Sequence, residues 1–480
     1  MPATLLAPPK HCVTLADMVG APSIVWFRDD LRIDDNPALV AAVSRGEPVI
    51  AIYLLDEESD GFRPYGGAAR WWLHHSLAAL APDLEGISAR LLLRRGPAEQ
   101  ILPALVAETG AGAVFWNRRY GRAEREVDAR LKSGLRDDGV EVSSFAASLL
   151  YEPWTIATGQ GTPYSVFTPF WRACQAAPPP RAPLDAPTTI DGWAGQAGGD
   201  DLDEWRLLPT QPDWAGGLRD AWEPGEASAH RLLDEFLHEK LAAYDTERDI
   251  PAQGATSGLS PHLRWGEISP NRVLHETEQV RRGAGAAVAA GATRFLTELG
   301  WRDFCSHVLF AAPDLATVNW RREFDAFPWP PLNEAALAAW QQGTTGIPIV
   351  DAGMRELWRT GTMHNRVRMI VASFLTKNLL IDWRLGEQWF WDTLVDADAA
   401  SNAFNWQWVA GSGADAAPYF RIFNPELQAK KFDPHGEYIR QNVPEWGTDA
   451  YPQPIVDLAS SRKAALAAYD VVTRSKREPV

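Results

Sequence analysis

Between Ser23 and about Leu150 the chain alternates short apolar runs with longer stretches of three- to four-residue periodicity. The runs are SIVWF (23–27), VIAIYLL (49–55), ARLLL (89–93), AVFW (113–116) and VEVSSF (140–145). Most are apolar at nearly every position, which is the pattern of strands buried on both faces. Between them lie helical patterns opening near Asn36-Pro37 and running over 67–84, 97–109 and 122–135. This alternation predicts an α/β domain, a doubly wound, Rossmann-like parallel sheet over 23–150. Such sheets hold ligands at the carboxyl ends of their strands. The stretch after the first run, RDDLRIDDN (28–36), is dense in charge at that location.

Over 151–226 both periodicities fade. Pro178 to Pro180 form a proline run and GWAGQAGGDD is loop-like, so this stretch reads as a connector draped over the surface. From 227 to 480 nearly everything reads as helix, with patterns over 293–310, 333–342, 350–360, 363–381 and 385–395. Ser260-Pro261 and Ser269-Pro270 each place a capping serine before a proline at the first helical position. The second half is therefore an all-α domain. The first 22 residues, with Pro8, Pro9 and Asp17, read as a disordered leader.

Composition changes this picture little. The 480 residues carry a formal charge of −16, which disfavours wholesale nucleic-acid binding but leaves room for a local basic patch. Cys12, Cys174 and Cys305 are far apart, so neither a disulfide framework nor a cysteine-built metal site is expected. The thiols suit a reducing, cytoplasmic compartment, and no apolar run is long enough to span a membrane. Tryptophan is the outlier, with 22 copies.

Four stretches carry candidate chemistry. In GATSGLSPHLRWGEISP (254–270), Thr256, Ser257 and Ser260 crowd a turn that opens a helix, an arrangement that suits an anion such as a pyrophosphate. In FLTELGWRDF (295–304), Glu298, Trp301 and Arg302 recur at helical spacing, as suits a planar ligand with polar edges. In GTMHNRVRMIVASF (361–374), Asn365, Arg368 and Met369 share one face, while His364, lacking a nucleophilic partner, reads as structural. DADAASNAFNWQW (396–408) places two indoles among carboxylates and amides.

These stretches, with WFRDDLRIDDNPAL and the run continuing to RIFNPELQAKKFDPHGEYIRQ, resemble the DNA photolyase/cryptochrome family from about Ser23 to beyond Arg440. The resemblance implies FAD, working as FADH⁻, inside the helical domain. It places Tyr244, Thr256, Ser257, Gly258, Leu259 and Ser260 on the phosphate and ribitol side. Phe295, Glu298, Arg302, Asn365, Arg368, Asp396, Asp398 and Asn402 line the rest, with Arg368 able to pair with Asp396 and Asn365 facing the flavin N5. Trp406 would begin an electron chain through Trp383 to Trp329 at the surface. Trp301 and Trp408 would form a flat wall for flipped-out bases, beside Met369. Arg248, Arg366, Lys430 and Lys431 are candidate phosphate contacts.

The function implied is that of a cyclobutane pyrimidine dimer photolyase, a monomer acting on dimer-containing DNA and not at a membrane. Glu298 would stay protonated in an apolar cavity and donate to a thymine carbonyl. The alternatives are a (6-4) photolyase, whose relatives carry histidines where this chain has Asn365 and Met369, and a cryptochrome-type light sensor. A small residue, Thr362, stands where many relatives have a large aromatic. The first domain would hold an antenna chromophore. Glu124 follows the folate-binding pattern without its asparagine, so methenyltetrahydrofolate is expected ahead of deazaflavin.

Overall fold

The computed structural model describes residues 20–416 and 420–475. The leader expected over 1–22 lies outside them up to residue 19. Strands β1 (Ser23–Phe27), β2 (Val49–Leu55), β3 (Leu91–Arg95), β4 (Ala113–Asn117) and β5 (Glu141–Phe145) form one parallel sheet in the order β3-β2-β1-β4-β5. Ser23 of β1 lies opposite Val49 on one side and Ala113 on the other. The strand order reverses at β1, so the crevice at its carboxyl end is the switch point where such sheets bind ligands.

Strands β1, β2 and β4 are buried along their whole length. Ile24, Trp26, Ile52, Val114 and Trp116 pack under the helices Ala98–Thr109 and Arg122–Asp137. Val25, Phe27, Ala51, Tyr53 and Phe115 pack under the helices Pro37–Ser44 and Gly67–Gly86. Asn36 caps the first of these by accepting the Leu39 N–H at 3.2 Å, with Pro37 at the first helical position.

The connector is less peripheral than its composition suggests. It contains the helix Phe167–Ala176, whose Phe167, Phe170 and Cys174 are buried, and it also buries Trp205 and Leu218. Its prolines and glycines hide a short amphipathic helix and isolated apolar anchors. Beyond it every regular element among the described residues is a helix. The pattern over 363–381 is not one helix: Asn365–Ser373 gives way to a wide turn, Phe374–Asn378, and Leu380 takes a left-handed conformation (φ 52°). Ser269 caps the helix Pro270–Arg281 as expected, accepting the Arg272 N–H at 2.9 Å. Ser260 does not act as a cap; it is the first residue of the helix Ser260–Trp265, and its hydroxyl donates to Asp396 at 2.6 Å.

The charged stretch after β1 is the junction between the two halves. Arg28, Asp30, Arg32, Asp35 and Asn36 are all buried. Arg32 donates to the carbonyls of Gly266 (2.8 Å), Asp35 (2.9 Å), Asp34 (3.0 Å) and Ala147 (3.2 Å). Arg272 grips Asp34 with two bonds of 2.7 and 2.9 Å, and Arg264 reaches Asp29 at 2.8 Å. Gly266 has a φ of 67°, and a Cβ there would collide with the Asp29 carbonyl, so glycine is required at this approach.

Groups this buried are costly to leave unpaired. Arg32→Leu would orphan four carbonyls, and we expect it to lower unfolding free energy by about 3 kcal/mol. A urea midpoint unchanged from wild type would show the junction to be dispensable.

Candidate functional site: the cavity of the helical domain

The helical half encloses a cavity of about 510 Å³, within the range of cofactor sites. The long helix Ala286–Ala311 contributes Phe295, Glu298, Leu299 and Arg302 from one face. Thr256 to Pro261, Leu263 and Arg264 form a second wall. The helix Asn365–Ser373 adds Asn365, Arg368 and Met369, and the stretch from Leu394 to Val409 adds Asp396, Asp398, Asn402, Asn405 and Trp406. Every residue assigned to the flavin from sequence lines this one cavity, Tyr244 among them.

The polar walls are held rigidly. Arg368 makes paired bonds to Asp396 at 2.9 and 3.1 Å, donates to the Met363 carbonyl at 2.7 Å and reaches the Thr362 hydroxyl at 3.2 Å. Asp398 accepts the N–H groups of Ala400 and Ser401, fixing the start of the helix Ser401–Ala410. Arg302 donates to the carbonyls of Ser148 (2.5 Å) and Leu263 (3.0 Å), so its charge is held by backbone from both halves of the chain. The helix Ser260–Trp265 is under two turns long, so its dipole is small. The anion-binding character of this wall rests on its hydroxyls and on the Gly258 turn (φ 71°).

The two amides differ. Asn402 is buried, and its Nδ2 donates to the Glu387 side chain (2.8 Å) and backbone carbonyl (3.0 Å). Glu387 is in turn gripped by Arg63 of the first domain at 2.8 and 2.9 Å. Asn365 is exposed, at the first turn of its helix.

Near Asn365 lie the charged groups. Glu298 is not in an apolar surround: its carboxylate pairs with Arg248, and Arg294 approaches to 3.4 Å. This arrangement departs from the expected apolar setting. His364 accepts the Arg366 N–H through Nδ1 and donates through Nε2 to the Arg248 carbonyl at 2.9 Å, which fixes a neutral tautomer; burial pushes its pKa down to about 4. Arg366 pairs with Asp249 at 2.6 Å and lies 4.5 Å above the Phe432 ring; Lys430 and Lys431, on the helix that ends in Phe432, are exposed.

Trp406 lines the cavity and packs edge-on against Phe390 (4.9 Å) and Trp340 (6.2 Å). Its ring lies where a Cβ on Gly386 would be, which brings it against the helix Trp383–Thr393. Trp383 is buried, and it shares a small crevice with the half-exposed Trp329. Trp301 and Trp408 are not among the residues lining the cavity. Trp301 stacks on Phe167 at 3.8 Å, so one face of the expected wall is already covered, and Trp408 donates to the Asp415 carbonyl at 3.0 Å. Glu124 lies in the first turn of its helix, near Arg119; the Arg119 Nε and Nη2 are buried with no partner among the described residues.

The description "DNA photolyase" matches residues 23–188, and "FAD binding domain of DNA photolyase" matches 295–448. A deoxyribodipyrimidine photo-lyase of Agrobacterium fabrum is 52% identical over 95% of this chain and 99% of its own. The chain belongs to the DNA photolyase family. A crystal structure of a bacterial class III photolyase from Agrobacterium tumefaciens superposes with a TM-score of 0.91 at 51% identity, covering 95% of this chain and 98% of that one. Cryptochrome-1 of Arabidopsis thaliana is 39% identical over 89% of this chain and 63% of its own.

The cavity fits FAD by its chemistry. Hydroxyls and a glycine turn suit a diphosphate, and a fixed guanidinium–carboxylate pair with a buried amide suits the hydrogen-bonding edge of a flavin ring. Several lining residues were not anticipated from sequence: Trp222, Arg264, Glu356 and Met363. Glu356 takes the Tyr438 hydroxyl at 2.5 Å, and burial pushes its pKa up. Only its helical spacing from Arg359 and Thr360 was visible, and that did not separate it from a surface acid.

Three buried groups contribute to the pH dependence of the protein's stability. Burial lowers His307 and His364 to about 4, so both are neutral when folded. Unfolding takes up protons below pH 6.5, and stability falls as pH drops from there toward 4. Asp303 is pushed up by burial to about 7 although it accepts the Leu150 and Tyr151 N–H groups. Its ionisation costs stability as pH rises from about 4 to about 7. The Tm advantage of Asp303→Asn over wild type should therefore grow between pH 5 and pH 8; a constant difference would mean that Asp303 does not titrate in that window.

Proposed function

We infer that this chain is a light-driven DNA repair enzyme, a deoxyribodipyrimidine photo-lyase acting on cyclobutane pyrimidine dimers. The observation that carries this reading is the convergence of every flavin-assigned residue on one cavity whose wall includes Trp406. Reduced FAD, when bound, supplies the light-driven electron that opens the cyclobutane ring.

The protein's own work is to hold, orient and exclude water. Arg368, pinned by Asp396 in the cavity wall, would supply fixed positive charge to a reduced, anionic ring. Of the two lining amides, the buried Asn402 is the one held fast enough that it would present a fixed group to the ring edge, while Asn365 is exposed. Both Nδ2 protons of Asn402 are committed to Glu387, which leaves its carbonyl oxygen as the acceptor. Asn365, Met369, Glu298 and Arg248 border the path of the lesion. A damaged dinucleotide leaves the helix at reduced cost because it is already poorly stacked. Glu298 acts there as an acceptor and as an anchor for Arg248. Arg366, Lys430 and Lys431 contact phosphates, supplying local positive charge on a chain of net charge −16. Trp301 and Trp408 support the flipped bases from the side, and the enzyme works as a monomer on a single lesion.

Trp406, Trp383 and Trp329 form the route by which electrons refill the flavin. The antenna chromophore, methenyltetrahydrofolate ahead of deazaflavin, belongs to the first domain. The unpaired donors of Arg119, 5.1 Å over the Phe62 ring and near Glu124, supply a partner for an acidic heteroaromatic at the strand ends.

The deciding experiment is blue illumination of the flavin-loaded protein with an oligonucleotide carrying one thymine dimer. We expect intact thymines in the light and unchanged dimer in the dark; intact dimer after illumination of fully reduced protein would overturn the reading. Arg368→Leu should lower the flavin content of purified protein by at least roughly tenfold, the scale of one buried charge-assisted bond, as measured by absorbance. Glu298→Ala should slow repair while flavin content stays at the wild-type level.

A further inference from the structure

We propose that Asn319, oriented by Asp325, gives electron flow along the tryptophan row its direction, by favouring the oxidised form of Trp383 over that of Trp406. The inference rests on the electron route proposed above. Trp383 is 1% exposed, and its Nε1 donates to the Asn319 Oδ1 at 3.0 Å. Asn319 is 4% exposed, and its Nδ2 donates to the Asp325 Oδ1 at 2.8 Å. The carboxylate can only accept, so the amide must turn its oxygen toward the indole. Arg322 holds the other Asp325 oxygen at 2.8 Å. Trp406 is equally buried, yet its Nε1 has no partner among the described residues.

An oxidised indole is a cation, and its N–H is a much stronger donor than that of the neutral ring. An acceptor on that N–H therefore stabilises the oxidised state more than the neutral one. Trp383 has such an acceptor, and no protein group among the described residues supplies one to Trp406. An electron vacancy formed on Trp406 is thus lower in free energy on Trp383, and it moves outward.

The amide oxygen is also a very weak base, so the proton stays on nitrogen. Lys377 is buried in the same crevice, with its Nζ donating to the Ala410 carbonyl at 2.8 Å and lying 3.4 Å over the Phe420 ring. Arg384, 4.7 Å over the Trp383 ring, opposes oxidation, but Asp382 clamps it at 3.0 and 3.1 Å and offsets its charge.

The electron balance is simple. Trp406 gives one electron to the photoexcited flavin and takes one from Trp383, which takes one from Trp329. A thiol reductant in solution refills Trp329. One electron leaves the thiol, one reaches the flavin, and no proton leaves Trp383.

The test uses the full-length, flavin-loaded protein, with time-resolved absorption and electron paramagnetic resonance of the indole radicals. Nitrogen-15 indole spectra report the Trp383 N–H independently of photochemistry. Asn319→Leu should shift the Trp383 N–H resonance and cut the light-driven reduction yield on the order of tenfold, the factor of about one hydrogen bond. Asn319→Asp should replace the protonated Trp383 radical by a deprotonated, trapped one. A wild-type yield in folded Asn319→Leu, with Trp383→Phe impaired, would overturn the role of Asn319 while leaving the row intact. A wild-type yield in Trp383→Phe would instead dismiss the row itself. Should Asn319→Leu fail to fold, the half-exposed Asp325→Asn carries the test: a smaller loss in the same direction supports the proposal, and no loss overturns it.

Discussion

The structure depends on one buried polar junction, where the charged stretch after β1 meets the segment 259–272. That segment has two faces. One is bound to the first domain through Arg264 on Asp29, Arg272 on Asp34 and the Gly266 carbonyl on Arg32. The other carries Leu259, Ser260, Pro261, Leu263 and Arg264 into the cavity wall. Arg264 belongs to both, and it also donates to the Ala397 carbonyl beside Asp396. Burial alone would raise the Asp29 pKa, but Arg264 and Arg119 together hold it below the ordinary value. The sheet is thus a fixed back plate for a cofactor site that it barely touches.

The same logic recurs at Glu387. It ties Arg63 of the first domain to Asn402 inside the cavity, and Arg63 also lies 4.1 Å over the Trp391 ring. Two independent polar relays therefore couple the α/β half to the cavity walls. Buried pairs of this kind add little net stability relative to apolar packing, but they specify one arrangement strongly. A site that must hold a ring in fixed relation to a row of indoles needs that specificity more than raw stability.

The strands and their covering helices were legible because burial on both faces leaves nearly unbroken apolar runs. The helical half was legible from periodicity, except where the backbone departs from it at Phe374–Asn378. The cavity residues were readable through family resemblance, since no local rule links Tyr244 to Asp396. What stayed hidden depends on tertiary neighbours. RDDLRIDDN has the composition of a solvated loop and is instead a buried junction. Glu298 met Arg248 rather than an apolar surround, and of the two amides expected to line the cavity Asn402 is buried on Glu387 while Asn365 is exposed. Composition cannot reveal which of two amides a distant glutamate will claim.

The most direct measurement of the central claim is the flavin dissociation constant of Asp29→Ala, a substitution outside the cavity wall. If the junction positions that wall, Arg264 loses its anchor and the constant should rise on the order of tenfold, with secondary structure intact. An unchanged constant in a folded variant would contradict the dependence of the site on the junction.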